Sequence, residues 1–315
     1  MRPGPRTSLG LLLAALSCGA LTTAAQAPAP GGRPWTVPRT ASGDPDLQGL
    51  WTYATMTPLE RPRDLAAKAV LTPEEAEAYE RQTFERQSTT NNTAGPDWWD
   101  PGTRTLTNHR TSLIVDPPNG RMPPLTPEAQ QRAASRAQAR RDHGPADGPE
   151  DRALNERCLQ WATAGPPMLP GVYNNNVQLV QTRGYVVIVN EMIHDARIVP
   201  MDGRPHGTIR RWMGDSRGHW EGNTLVVDTV NLLEKAGFRG SDEHLHLVER
   251  FTRADAKTID YQFTVDDPTV WTAPWTAAFP LTQTDGPMFE YSCHEGNARS
   301  MEGMLRGARA EEKGK

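Results

Sequence analysis

The sequence predicts a mainly β (α+β) domain, an antiparallel β-meander closed into a barrel, with two peripheral helices near residues 72–87 and 126–142. Three observations carry this. From Cys158 onward, short apolar runs alternate with turn signals such as Arg183-Gly184, Asp202-Gly203 and Gly222-Asn223, the mark of consecutive hairpins. No helical periodicity separates those runs, so parallel βαβ units are not indicated. Closing the sheet on itself is the simplest way to remove the exposed edges of so many strands.

The N-terminus comes first. Arg2 and Arg6 precede an apolar run over residues 9–21, followed by small residues to Ala27. That order reads as a secretory signal peptide spanning residues 1–27, cut after Ala25 or Ala27. Lipoprotein processing at Cys18 is an alternative, although Ala15 stands where a larger aliphatic residue is usual. The expected location is therefore periplasmic or secreted. The whole chain has 315 residues and a formal charge of −4, which becomes −6 once Arg2 and Arg6 are removed. No basic patch points to nucleic acid, and no segment of the mature chain approaches a membrane span.

Residues 28–45 hold Pro28, Pro30, Pro34, Pro38 and Pro45 and read as an extended lead-in to a single β-rich domain over residues 46–315. Gly49-Leu50-Trp51-Thr52-Tyr53 reads as the first strand. Thr72 is the expected N-cap of the first helix, with Pro73 at its first position and Glu75 completing a capping box. Residues 88–111 form a long irregular stretch, and residues 112–115 a short strand before the turn Asp116-Pro117-Pro118-Asn119-Gly120. Thr126-Pro127-Glu128 opens the second helix by the same logic.

The remaining strands are expected at 177–182, 185–192, 197–200, 219–221, 224–230, 245–252, 258–265 and 288–292. In one hairpin the faces can be read. Ile259, Tyr261, Phe263 and Val265 alternate with polar residues, and a three-residue loop Ala254-Asp255-Ala256 sets Phe251 opposite Ile259, Arg250 opposite Asp260 and Glu249 opposite Tyr261. The same register sets His244 opposite Asp266. Glu249 then lies on the apolar face, where a carboxylate needs a partner or a pocket.

The mature chain keeps two cysteines, Cys158 and Cys293, and export makes one disulfide between them the expectation. Chain entropy assigns such a bridge about 4 to 5 kcal/mol at most.

Ionisable residues gather in four places: Glu191, His194 and Arg197; Trp220-Glu221 with His219; Glu249-Arg250; and His294-Glu295. They read as the candidate catalytic residues Glu191, His194, Arg197, Glu249, Arg250, His294 and Glu295, with a structural Glu249–Arg197 ion pair as the competing interpretation. Trp51, Trp220, Glu221, Tyr261 and Trp275 are the candidate ligand-binding residues. His244 and His246 have a spacing that suits a metal, but no HExxH, paired CxxC or fixed third ligand accompanies them, so no metal is assigned. Phosphate-loop, dinucleotide and Gly-x-Ser-x-Gly signatures are missing, and no cofactor is expected.

Two resemblances add to this. Gly49-x-Trp51 at the first strand resembles the short signature of lipocalin-like barrels, in which the Trp plugs one end. The stretch Arg210-Arg211-Trp212-Met213-Gly214-Asp215, continuing to His219-Trp220-Glu221-Gly222-Asn223-Thr224-Leu225-Val226-Val227-Asp228-Thr229, resembles a large uncharacterised family of exported bacterial proteins. Glu290-Tyr291-Ser292-Cys293-His294-Glu295-Gly296-Asn297 and Val248-Glu249-Arg250-Phe251-Thr252 agree with it. The chain departs at Ala298, where that pattern carries Tyr, and at Arg183, where it carries Pro. The resemblance implies export and one domain, and no activity.

The reading is an exported soluble domain with a barrel-type pocket for a small apolar or aromatic molecule. Alternatives are a cofactor-free acid/base enzyme (hydrolase, lyase or isomerase) and an envelope interaction protein without a small-molecule site.

Overall fold

A computed structural model describes residues 35–90, 102–142, 146–234, 236 and 238–313. The expected leader lies outside these residues, as does much of the 88–111 stretch. Among the described residues no helix is long and apolar enough to cross a membrane.

Among the described residues ten strands make one antiparallel sheet: β1 (Gly49–Thr52), β2 (Ile114–Asp116), β3 (Asn176–Thr182), β4 (Tyr185–Asn190), β5 (Ala196–Pro200), β6 (Asp215–Glu221), β7 (Thr224–Val230), β8 (His246–Arg253), β9 (Thr258–Asp266) and β10 (Trp275–Gln283). Nine of them follow the order β5-β4-β3-β1-β10-β9-β8-β7-β6, and β2 adds to β10. The sheet is a nearly closed barrel, built from two meanders, β3–β5 and β6–β10, with β1 inserted between them. β10 is long enough to pair β2 through Thr276 and Ala277 and β1 through Thr282 and Gln283 along one edge.

β10 lies outside the expected strands, and it carries Pro280, which lacks the N–H that a ladder uses. It is tolerated because it sits between the stretches of β10 that pair β2 and β1. The strand expected at 288–292 is irregular chain instead.

The helices are α1 (Pro73–Thr90), α2 (Pro127–Asp142) and α3 (Asn297–Lys313). The Thr72–Glu75 capping box forms: the Glu75 carboxylate accepts the Thr72 N–H at 2.8 Å and the Thr72 hydroxyl accepts the Glu75 N–H at 3.3 Å. Thr126 caps α2 by accepting the Ala129 N–H at 3.1 Å. α3 was not foreseen, since Gly303 and Gly307 weaken its helical signal.

The β8–β9 faces are as read, but the partners move by two. Phe251 pairs Tyr261, Glu249 pairs Phe263, Arg250 pairs Gln262, and His246 rather than His244 meets Asp266. The three-residue loop is Asp255-Ala256-Lys257, one residue later than expected, because the Asp255 carboxylate accepts the Lys257 N–H at 2.8 Å while Ala254 already pairs Thr258. Shifting a loop by one residue changes partners in steps of two, so the inward set survives.

The barrel interior is filled. Trp51, Phe251, Tyr261, Phe263, Trp275 and Phe279 form one continuous core with the inward aliphatic residues of β3, β4, β5, β7, β8, β9 and β10. Their rings meet at tilted or edge-on angles, Phe251–Tyr261 at 4.8 Å and Phe263–Trp275 at 5.7 Å between centroids. Cys158 and Cys293 are joined as expected. The bridge fastens the segment before α3 to the irregular stretch that precedes β3.

Candidate functional site

Arg197 from β5 and Glu249 from β8 meet inside the barrel. The Arg197 Nη1 and Nη2 groups donate to the two Glu249 oxygens at 2.5 and 2.9 Å, and the Tyr261 hydroxyl donates to Glu249 Oε1 at 2.6 Å. Glu249 has no exposed surface and Arg197 is 4% exposed. Burial and the Glu249 charge together push the Tyr261 phenol well above its usual range, and the same carboxylate outweighs desolvation to raise Arg197. Tyr261 also accepts the Met168 N–H at 3.1 Å, tying the 165–168 segment to the cluster. A carboxylate that already accepts three charge-assisted or phenolic hydrogen bonds is a poor general base, so this geometry matches the ion-pair interpretation.

Glu191 is likewise engaged by donors. Its carboxylate accepts the Phe289 N–H at 2.9 Å and the Asn176 amide at 2.8 Å, clipping the C-terminal segment to the start of β3. The His194 side chain lies outside the described ones; its backbone belongs to the short turn 192–194. His294 and Glu295 are exposed in the turn before α3.

Arg250 points outward and donates to Glu221 at 2.6 Å, with His219 at 3.2 Å from the same carboxylate. These two donors hold the Glu221 carboxyl below the usual carboxylate range. His244 sits in the turn before β8, 3.7 Å from Glu243, whereas His246 and His206 take one oxygen each of Asp228 at 2.7 and 2.8 Å. The expected His244–His246 pair therefore does not share a strand face. No group of three or more His, Cys, Asp or Glu side chains suited to a metal occurs among the described residues.

Of the candidate ligand-binding residues, Trp51, Tyr261 and Trp275 are core. Trp51 donates from Nε1 to Leu47 O at 3.0 Å with the Arg253 guanidinium 4.8 Å over its ring. Trp220 is half-buried against the core, and Glu221 is exposed. Inward aromatic residues of a small barrel are its filling, and they leave no cup of their own.

Two of the clefts outside that filled interior gather aromatic or guanidinium side chains. One, of about 660 Å³, borders the disulfide and is lined by Trp161, Tyr173, Phe289 and Tyr291, with Glu156 and Glu290 at its polar part. Tyr173 and Tyr291 are nearly parallel at 6.4 Å, and Trp161 stands edge-on to both at 6.1 and 5.9 Å. Burial, then the neighbouring Tyr173 hydroxyl, raises the Tyr291 phenol above its usual range. Phe289 is 66% exposed, an unusual exposure for a ring whose backbone is pinned by Glu191. Cys293 lines this cleft, but Trp161 and Tyr173 were not among the candidates. They lie in irregular chain with no periodicity to single them out.

The second cleft, of about 570 Å³, lies where β5 and β6 meet. No family model, curated protein or solved structure matches the chain.

Proposed function

We propose that the protein is an exported binding domain that holds a small aromatic molecule in the cleft formed by Trp161, Tyr173, Phe289 and Tyr291. The observation that carries this is the convergence of four aromatic side chains on a cleft of about 660 Å³, two of them fastened in place by the Glu191 clip and the Cys158–Cys293 bridge. That volume is within the usual range for small-molecule sites, and rings held on fixed backbone lose little freedom on binding. The leader-like residues 1–27 and the disulfide support export to an oxidising compartment. The enzyme alternative has less support, because its best base, Glu249, is enclosed and saturated with donors.

Calorimetry with indole as the probe tests the reading. Saturable binding is expected, with Phe289→Ala weakening it roughly tenfold, about what losing most of one ring's contact removes. Phe289 is exposed, so the variant should keep its melting temperature. Indole binding that ignores Phe289→Ala and Tyr291→Ala, or fails to saturate, removes the proposal. Native mass spectrometry of the protein purified from a periplasm reads the same site from the other side, through any co-purifying molecule lost on denaturation.

A further inference from the structure

Nine strands, each antiparallel to its neighbours, leave the first and last pointing the same way, so β5 and β6 cannot extend the antiparallel pattern when they meet. No ladder joins them among the described residues. They are held by packing at Gly218, where a Cβ would fall on the Met201 sulfur and within 2.9 Å of Val199 Cγ1. Beside this contact the seam widens into the cleft of about 570 Å³, bounded by the start of β5, the start of β6 and the 211–214 turn.

Four guanidinium groups line the cleft, those of Arg197, Arg204, Arg211 and Arg217, against two carboxylates, Asp195 and Asp215. Their partners decide what is left over. Arg204 is held by Asp202 outside the cleft. Arg217 donates to Asp215 Oδ1 at 2.6 Å, and the other Asp215 oxygen accepts the Gly207 N–H at 2.7 Å. Arg197 spends both terminal nitrogens on Glu249, while its Nε–H is buried with no partner. Arg211 has no carboxylate partner among the described residues. Its backbone is nevertheless clamped: its N–H donates to Asn231 O at 3.0 Å and its carbonyl accepts from Leu233 and Gly214 at 3.0 and 3.2 Å. Asp195 is engaged elsewhere, so one exposed cation on a clamped backbone and one unsatisfied buried donor remain beside walls made by Leu159, Ile198, Trp212 and Met213.

We propose that the β5–β6 seam is a binding site for a small organic carboxylate with an apolar body. Arg211 takes the carboxylate head, since a guanidinium offers it two parallel donors, and the Arg197 Nε–H adds a third at the inner end. Trp212, Met213 and Ile198 cover the apolar part. A single uncompensated guanidinium suits a monoanion better than a phosphate dianion. The site is separate from the aromatic cleft, though Leu159 and Trp161 place the same irregular segment on the wall of both.

Calorimetry on the full mature chain at low salt, with benzoate, acetate and inorganic phosphate as probes, tests this. Benzoate is expected to saturate, at least about tenfold tighter than acetate because its ring is covered. Arg211→Gln should weaken benzoate roughly tenfold and Arg211→Lys by less, with the melting temperature unchanged, because only the backbone of Arg211 is used by the fold. Phe289→Ala should leave benzoate untouched. Four results overturn the proposal: no saturation by benzoate up to about 10 mM, which is weaker than any specific site of this kind; indifference to Arg211→Gln; acetate or phosphate binding as tightly as benzoate; or a loss that follows Phe289→Ala, which would assign benzoate to the aromatic cleft.

Discussion

Glu249 and Arg250 are neighbours on β8 and both make ion pairs, yet they face opposite sides of the barrel wall. Glu249 meets Arg197 with neither side chain more than 2% exposed, whereas Arg250 meets Glu221 with 37% and 49% of their side chains in solvent. Inside, two desolvated charges are tolerable only together, and removing one strands the other. Outside, water and salt screen both, and the pairing holds almost nothing. The inner pair also spans the barrel, tying β5, an edge of the seam, to β8. The polar interior is thus part of the framework, and the two proposed binding sites lie outside it, at the seam and at the disulfide-tied end.

The largest effect is expected from Glu249→Gln, which leaves the Arg197 guanidinium buried without its counter-charge. The loss should be about 3 to 5 kcal/mol, a fall in melting temperature of roughly 10 °C. A combined Arg197→Met, Glu249→Leu, Tyr261→Phe variant should regain most of it, because no charge or hydroxyl is then left unpaired. A Glu249→Gln protein that melts like the parent would erase the contrast between the two faces of β8.

Next comes the disulfide. Cys158→Ser with Cys293→Ser opens a link between residues 135 apart in sequence, and about 2 to 4 kcal/mol of stability should go with it. The same variant should weaken indole at the aromatic cleft more than benzoate at the seam, since Cys293 lines only the former. Equal weakening of both probes would mean that the 155–161 segment moves as one body.

How much of this was legible in the sequence depended on whether the signal was local. The β9 alternation named its inward set, and Ile259, Tyr261, Phe263 and Val265 are all buried. Thr72 and Thr126 announced their helices through backbone N–H groups that only a cap satisfies. Loop placement failed by one residue because Asp255, not Ala254, supplies the turn-forming carboxylate. The insertion of β1 between β3 and β10 has no local signature at all, since it pairs residues more than a hundred positions apart. The site fared worst for a related reason. Aromatic residues were sought on strands, where alternation turns Trp51, Tyr261 and Trp275 into core, while the rings that stay accessible, Trp161, Tyr173 and Phe289, sit in chain without a period.

A smaller effect belongs to Asp215 at the seam. Burial opposes its charge, but the Gly207 N–H, the Arg217 guanidinium and His206 overcome that and hold its carboxyl below the usual carboxylate range. With a folded value lower than the unfolded one of about 3.9, its contribution is complete above that value and disappears as pH falls through the folded one. Asp215→Asn should cost about 1 to 2 kcal/mol at pH 7, the scale of lost hydrogen bonds to a charged acceptor. The gap between variant and parent should close as the pH is taken from 5 towards 3. A gap constant with pH would trace the loss to packing and not to the carboxylate charge.

The smallest effect is the sharpest test of the opening contrast. Glu221→Gln removes the negative charge that Arg250 and His219 face on the outer wall, and both side chains can then turn to water. Denaturant melts of this variant and the parent should superimpose at physiological salt. Repeating the comparison at low salt allows the screened attraction its best chance to appear. If Glu221→Gln still changes nothing there while Glu249→Gln unfolds the protein early, solvent access alone separates two ion pairs made by adjacent residues. If it destabilises measurably at both salts, the outer ladder of β6, β7 and β8 is a second structural network, and the filled interior is not the barrel's sole polar support.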